Sequence, residues 1–411
     1  MSYSATGTAL GFACPLLGES PLPFKAPSNV PNSSVAYRLR KSKPYHLGAE
    51  VTRLRQIVHS SIDYSSIKLL TIGPRCCILC KMELFELCRR LIAIPSISGS
   101  EESVAVFLAE YLTGAGFTVE MQEAEERRPN VYARLGQPEV VLSSHTDTVP
   151  PFVELREDAE YIYGRGACDA KGIIAAMIRA AEALKGRGVT DFGLLFVVGE
   201  EAGSAGARAA NTIPNHSRYL INGEPTESKL ALGAKGALKA VLRAEGQAAH
   251  SAYPEMGESA IEKLLDVLTD LRELTLRTDT TLGPTTMNIG TMRGGVAANV
   301  IAPEAEAEVL FRVVSEVAGL KRILEESVGG RAKVSYTFEC EPVFTERIDG
   351  PATAIVSFTT DIPLLGNWGK PLLFGPGSIL DAHTPGEKIS KAELAEAVDT
   401  YASMVVRLKQ T

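Results

Sequence analysis

The chain has 411 residues, 45% apolar and 22% charged, the composition of an ordinary globular protein, and its length suggests two or three domains. Its net charge of −7 argues against general binding to nucleic acid or anionic membranes, and no run of about 18 apolar residues is present to span a bilayer. Seven scattered cysteines do not make a disulfide framework, which suits a reducing compartment, here expected to be the cytoplasm.

Charge is unevenly spread. Residues 1–81 carry 10 Lys/Arg against 3 Asp/Glu, whereas the rest of the chain is acidic. This leader is rich in Ser and Pro and lacks sustained periodicity. Three readings of it compete: a disordered extension or upstream sequence read from an early start codon, an organellar transit peptide, and a small module. Cys77 and Cys80 form a C-x-x-C with no second pair at zinc-finger spacing, a weak signal.

At Met82 the character changes. Apolar residues at 84, 85, 87, 91 and 92 predict an amphipathic helix. Val131 to Leu135 and Val140 to Ser144 are short strand-like runs. Lys171 to Lys185 has helical spacing, while Gly193 to Val198 and Tyr219 to Asn222 are apolar runs of buried-strand type. Strands separated by helices predict an α/β fold with a mostly parallel sheet.

A second pattern begins near residue 236. Strand, helix, strand, strand, helix and strand follow at Ala237–Ala244, Ala260–Leu274, Thr285–Met292, Ala305–Arg312, around Leu320–Leu324, and Ala332–Phe338. That order, βαββαβ, is ferredoxin-like. The chain is then expected to return to its first domain and to end in a helix whose start, Ser390 to Glu393, reads as a capping box. The expected organisation is a leader at 1–81, one domain formed by 82–234 and 343–411, and an insert at 235–342.

Five segments carry chemistry. Ser143-Ser144-His145-Thr146-Asp147-Thr148-Val149-Pro150 places a His and an Asp just after a strand. Gly164 to Gly172 contains Asp169 at a helix start, where it could equally be a cap. Val197-Val198-Gly199-Glu200-Glu201 ends a buried strand with adjacent acids, which repel unless cations or protons hold them. Asn222-Gly223-Glu224-Pro225 repeats the theme, and Asp381-Ala382-His383-Thr384-Pro385-Gly386-Glu387 follows a Gly-Pro-Gly loop. Sites in such sheets gather at the carboxyl ends of parallel strands. A mixed His/carboxylate set, His145, Asp169, Glu201, Glu224 and His383, suits two divalent ions, with zinc the first choice and cobalt or manganese compatible. One carboxylate shared by two ions sets them ~3.5–4 Å apart.

These motifs, in this order, resemble those of acetylornithine deacetylase, succinyl-diaminopimelate desuccinylase, aminoacylase and carboxypeptidase G, a family of co-catalytic zinc amidohydrolases and peptidases. The resemblance runs from about Met82 to the C-terminus and includes the insert. It implies a zinc-peptidase-like catalytic domain and a lid that dimerises the protein. It further implies one metal on His145, Asp169 and Glu224 and a second on Asp169, Glu201 and His383. Asp147 would orient His145, and Glu200 would be the general base that passes a proton from water to the leaving amine. The Asp169–Ala170 bond is expected to be cis. In the lid, His250 in Ala248-Ala249-His250-Ser251-Ala252 would reach a neighbouring subunit's site and stabilise an oxyanion. Asn299, Arg312, Gly377 and Ser378 would contact substrate. Cys168 reads as a small buried residue, and His46, His59 and His216 as structural or solvated.

The expected function is hydrolysis of the amide bond of an N-acyl amino acid, of the acetylornithine or N-acyl-diamino acid class. A dipeptidase or carboxypeptidase is the first alternative and a non-catalytic metal-binding homologue the second. A homodimer is expected.

Overall fold

The computed structural model describes residues 82–411. The expectations for the leader, its C-x-x-C, His46 and His59 fall outside them.

The helix Leu84–Ala93 buries Leu87, Cys88, Leu91 and Ile92 along one face, the pattern its spacing predicts. Around it grows a nine-stranded sheet. Its centre is four adjacent strands, Phe192–Val197, Val140–His145, Tyr219–Asn222 and Lys370–Leu373, paired in parallel. Phe192–Val197 and Val140–His145 are buried at every position, which is why they read as unbroken apolar runs. The helix Lys171–Gly186 covers them with Ile173, Ile174, Met177, Ile178 and Leu184, and the final helix, Lys391–Gln410, packs against it.

The flanks are antiparallel except for Thr353–Val356, which pairs in parallel with Leu230–Ala234, so the whole sheet is mixed. A hairpin of Thr118–Glu125 and Arg128–Leu135 extends it on one side. Its outer strand is polar and largely exposed, which explains why no apolar run betrayed it. On the other side Leu230–Ala234 pairs antiparallel with Lys370–Leu373 and Val343–Phe344.

Residues 236–340 build a separate four-stranded antiparallel sheet in the order Thr286–Gly294, Glu304–Val313, Gly236–Glu245, Lys333–Cys340, which is the ferredoxin-like arrangement. On Glu304–Val313, Ala305, Ala307, Val309, Phe311 and Val313 are buried while alternate residues face outward, as the sequence alternation requires. The helices Ala260–Glu273 and Val317–Val328 close this second core.

The chain then rejoins the first sheet. Strand Lys370–Leu373 slots beside Tyr219–Asn222 and brings the following loop to the same edge as His145. The last helix begins with half of the expected capping box: Ser390 Oγ accepts the Glu393 N–H at 3.4 Å. The Glu393 carboxylate is used elsewhere, accepting the Gly377 N–H at 2.9 Å.

Candidate metal centre

The four parallel strands end at one edge, and each end delivers a polar side chain. His145 is the last residue of its strand. Phe192–Val197 runs on to Gly199, at φ +76°, and then to the short turn Glu200–Ala202, closed by Gly203 at φ +91°. These left-handed positions let the chain reverse tightly enough to point both acids inward. Glu224 follows Tyr219–Asn222 by two residues, and His383 lies in the loop after Lys370–Leu373. Asp169 enters from the side, just before helix Lys171–Gly186. It does not cap that helix, whose N-cap is Ala170, and its peptide bond to Ala170 is cis.

Asp169 is the meeting point. Its Oδ1 lies 2.9 Å from His145 Nε2 and its Oδ2 3.3 Å from His383 Nε2. His383 Nε2 also sits 2.8 Å from Glu201 Oε1, and His145 Nε2 is 3.9 Å from Glu224 Oε2. One ligand atom from each of His145, Asp169 and Glu201 falls within 4.8 Å of the others. All five residues named for metal binding therefore gather in one pocket.

The electrostatics are those of a pocket with too many carboxylates. Burial would depress His145, yet Asp147, Asp169 and Glu224 hold its pKa well above the usual imidazole range. Hydrogen bonds to Asp169 and Glu201 raise His383 to about 10. Burial, then the charge of Glu224, pushes Glu200 well up; burial, and the charge of Asp169, does the same to Glu224 against the pull of His145. Glu224 Oε1 is buried without a hydrogen-bond partner. A set of hard oxygen and imidazole donors, with surplus negative charge and an unsatisfied oxygen, fits divalent cations.

Asp147 works behind this set. Its backbone oxygen lies 3.1 Å from His145 Nδ1, and its carboxylate accepts from the Glu200 N–H at 3.0 Å, the Glu201 N–H at 3.1 Å and the Ser98 hydroxyl at 2.7 Å. The closest approach of that carboxylate to His145 Nδ1 is 3.5 Å. It thus grips the Glu200–Glu201 turn more firmly than the imidazole.

A cavity of about 240 Å³ separates Glu200 and Ser204 from Cys340, on the last lid strand, and Thr360. Arg312 stands level with Ala237 and Cys340 on this face of the lid, half-buried. Gly377 and Ser378 border Asp169 through its neighbour: the Cys168 thiol donates to the Ser378 carbonyl at 3.2 Å. A Cβ on Gly377 would lie 2.7 Å from that sulfur. Burial drives the Cys168 thiol pKa well up, against any role as nucleophile. His250 and Asn299 are exposed on the lid, joined where the Ser251 N–H donates to the Asn299 carbonyl at 3.0 Å. Neither has a hydrogen bond to the pocket's residues within the described chain. His216 is exposed.

Three residues were not read from the sequence. Ser98 holds Asp147. Glu387, in a motif noted above without a role, binds the Asp169 loop. Asp361 is buried with both oxygens unpartnered among the described residues, and burial lifts its pKa to about 6. Nothing in Thr360-Asp361-Ile362-Pro363 distinguishes it from a surface turn.

Residues 232–327 match the peptidase dimerisation domain, and residues 130–267 match peptidase family M28. A peptidase M20 domain-containing protein of Schizosaccharomyces pombe is 39% identical over 361 residues, covering 85% of this chain and 90% of the relative. A probable carboxypeptidase of Aspergillus flavus is 38% identical over 373 residues, covering 77% and 88%. An M20 family metallo-carboxypeptidase of Sulfolobus solfataricus shares the fold at a TM-score of 0.64 and 18% identity, over 79% of this chain and 98% of that one. With its parallel-strand site and inserted dimerisation unit, the chain belongs to the peptidase M20 family of metal-dependent amide-bond hydrolases.

Proposed function

We propose that the protein hydrolyses an amide bond whose leaving amine belongs to an amino acid with a free carboxylate. The observation that carries this is the placing of one buried aspartate, Asp169, between two histidines and beside two further glutamates, with a third glutamate, Glu200, free of ligand geometry at the cavity wall.

In this reading His145, Asp169 and Glu224 hold one divalent ion and Asp169, Glu201 and His383 another, zinc being the preferred identity for this donor set. The ions supply Lewis acidity for attack on the amide carbonyl. Glu200 receives the proton of the attacking water and returns it to the departing nitrogen. Its place on the cavity wall, next to the ligand Glu201 but held by Asp147 through its backbone, suits a group that must both take and give a proton. Asp147 keeps Glu200 in place through its backbone. Arg312, on the lid face across the cavity, pairs with the substrate carboxylate, and Gly377 and Ser378 line the bed beside Asp169. His250 and Asn299 serve a second copy of the chain, which their exposure on the dimerisation unit supports.

Two substrate classes share this carboxylate. The N-acyl amino acids, N-acetylornithine first, agree with the motif pattern. Short peptides trimmed at their C-terminus agree with the names of the curated relatives. We take 82–234 with 343–411 as the catalytic part and 235–342 as the lid, a division supported by which sheet each strand joins. The thiols of Cys88, Cys168 and Cys340 are free, which supports a reducing cytoplasm. Among the described residues no helix is long and apolar enough to cross a membrane.

The test is a panel on the full chain reconstituted with zinc: N-acetylornithine, N-succinyl-diaminopimelate, simple dipeptides and N-blocked dipeptides, each with its carboxylate free or amidated. Turnover confined to free carboxylates supports the proposal. No turnover by protein carrying two ions contradicts it and favours a non-catalytic binding role.

A further inference from the structure

The loop that carries Asp169 is held by a carboxylate from more than two hundred residues downstream. Glu387 is 1% exposed. Its Oε1 accepts the backbone N–H groups of Gly166 at 2.9 Å, Cys168 at 3.2 Å and Asp169 at 3.2 Å. Its Oε2 accepts from Arg165 Nη1 at 2.6 Å, and its backbone carbonyl accepts the Gly164 N–H at 3.0 Å. Amides converging on one point make a nest of the kind that elsewhere binds free anions; here a side chain of the protein fills it.

Oε1 is saturated by the three amides and Oε2 is paired with the buried Arg165 guanidinium, so the carboxylate is committed to the loop. The consequence is positional. Arg165, 2% exposed, also reaches Thr384 O at 3.4 Å, so the pair stitches the Asp169 loop to the segment just after His383. His383 itself sits at φ +62°, a conformation histidine adopts where its surroundings hold it. We propose that Glu387 is a positioning residue of the metal centre: it sets the backbone of Asp169 and registers it against the His383 loop, so that the shared carboxylate is preorganised for both ions. This rests on the ligand assignment made above.

Glutamine at 387 cannot satisfy both partners. Its single oxygen serves either the amide nest or Arg165, and its NH₂ then faces a donor. Because Asp169 is common to both ions, misplacing it weakens both binding steps, whereas a change at His383 weakens one. A purely structural role would lower the melting temperature without that signature.

The experiment is zinc titration of chelator-stripped full-length protein against a competing chromophoric chelator. It is run below the melting temperature of wild type, Glu387→Gln, Glu387→Asp and Arg165→Lys, with folding checked by circular dichroism. Glu387→Gln is expected to weaken both steps by ~10–100-fold. Glu387→Asp, which keeps the charge but is one methylene shorter, falls in between and serves if the glutamine variant does not fold. Arg165→Lys keeps a cation opposite Glu387 but loses the guanidinium's bonds to Pro151 O and Thr384 O, so it is expected to weaken both steps too, by less than Glu387→Gln. Wild-type affinity at both steps in either folded Glu387 variant overturns the proposal alone. Failure of wild type to bind zinc overturns the ligand assignment with it.

Discussion

The carboxylate of Asp147 accepts the backbone N–H of Glu200 at 3.0 Å, with Glu201 beside it at 3.1 Å. One buried acid therefore fixes the turn that presents both the proposed base and a proposed ligand. Asparagine at 147 retains the shape, but its NH₂ must face one of these donors. Asp147→Asn is expected to lower kcat by ~10–100-fold, with both ions still bound. Steady-state kinetics paired with metal analysis checks this, and an unchanged kcat would remove Asp147 from the machinery.

Glu200 is separated from the ligand set by role. Glu200→Gln keeps its volume and removes proton acceptance, so kcat should fall by ~10²–10⁴-fold while KM moves little and metal content stays at the wild-type level. Loss of metal in this variant would mean that Glu200 is a ligand.

His383 contacts Asp169 and Glu201, and its side chain is 48% exposed, whereas His145 is buried beside Glu224. His383→Ala should weaken one ion and spare the other. Two ions retained with wild-type affinity would contradict the assignment.

Away from the site, Cys88 is fully buried in the first helix, and burial pushes its thiol from 9.0 up to about 12, against the opposing charge of Arg89. Between these values the unfolded chain gives up a proton that the folded one keeps, so stability falls as pH rises through that window. In urea melts across this range, wild type should lose stability faster than Cys88→Ala. Parallel losses would show that Cys88 does not titrate differently in the two states.

The site was more legible in the sequence than the frame around it. His145, Glu200, Glu201 and Glu224 each follow an apolar run broken by a glycine or polar turn, so local pattern alone flags them as strand-end residues. The strand Thr118–Glu125 was hard to see because its alternation is short: Val119 and Met121 alternate with Glu120 and Gln122, and then Glu123 breaks the pattern. Asp361 and Glu387 escaped for another reason. Their significance lies in burial and in partners distant in sequence, such as the amides of Gly166 to Asp169 for Glu387. No local periodicity encodes that. His250 and Asn299 carry a role only through resemblance, since both lie on the exposed lid of a single chain.

The central claim is that Asp169 is shared by two cations. Anomalous diffraction at the zinc edge from zinc-loaded crystals tests it most directly. The account predicts two peaks ~3.5–4 Å apart with the Asp169 carboxylate between them, one beside His145 and Glu224 and the other beside Glu201 and His383. A single peak, or peaks that do not touch Asp169, would contradict it.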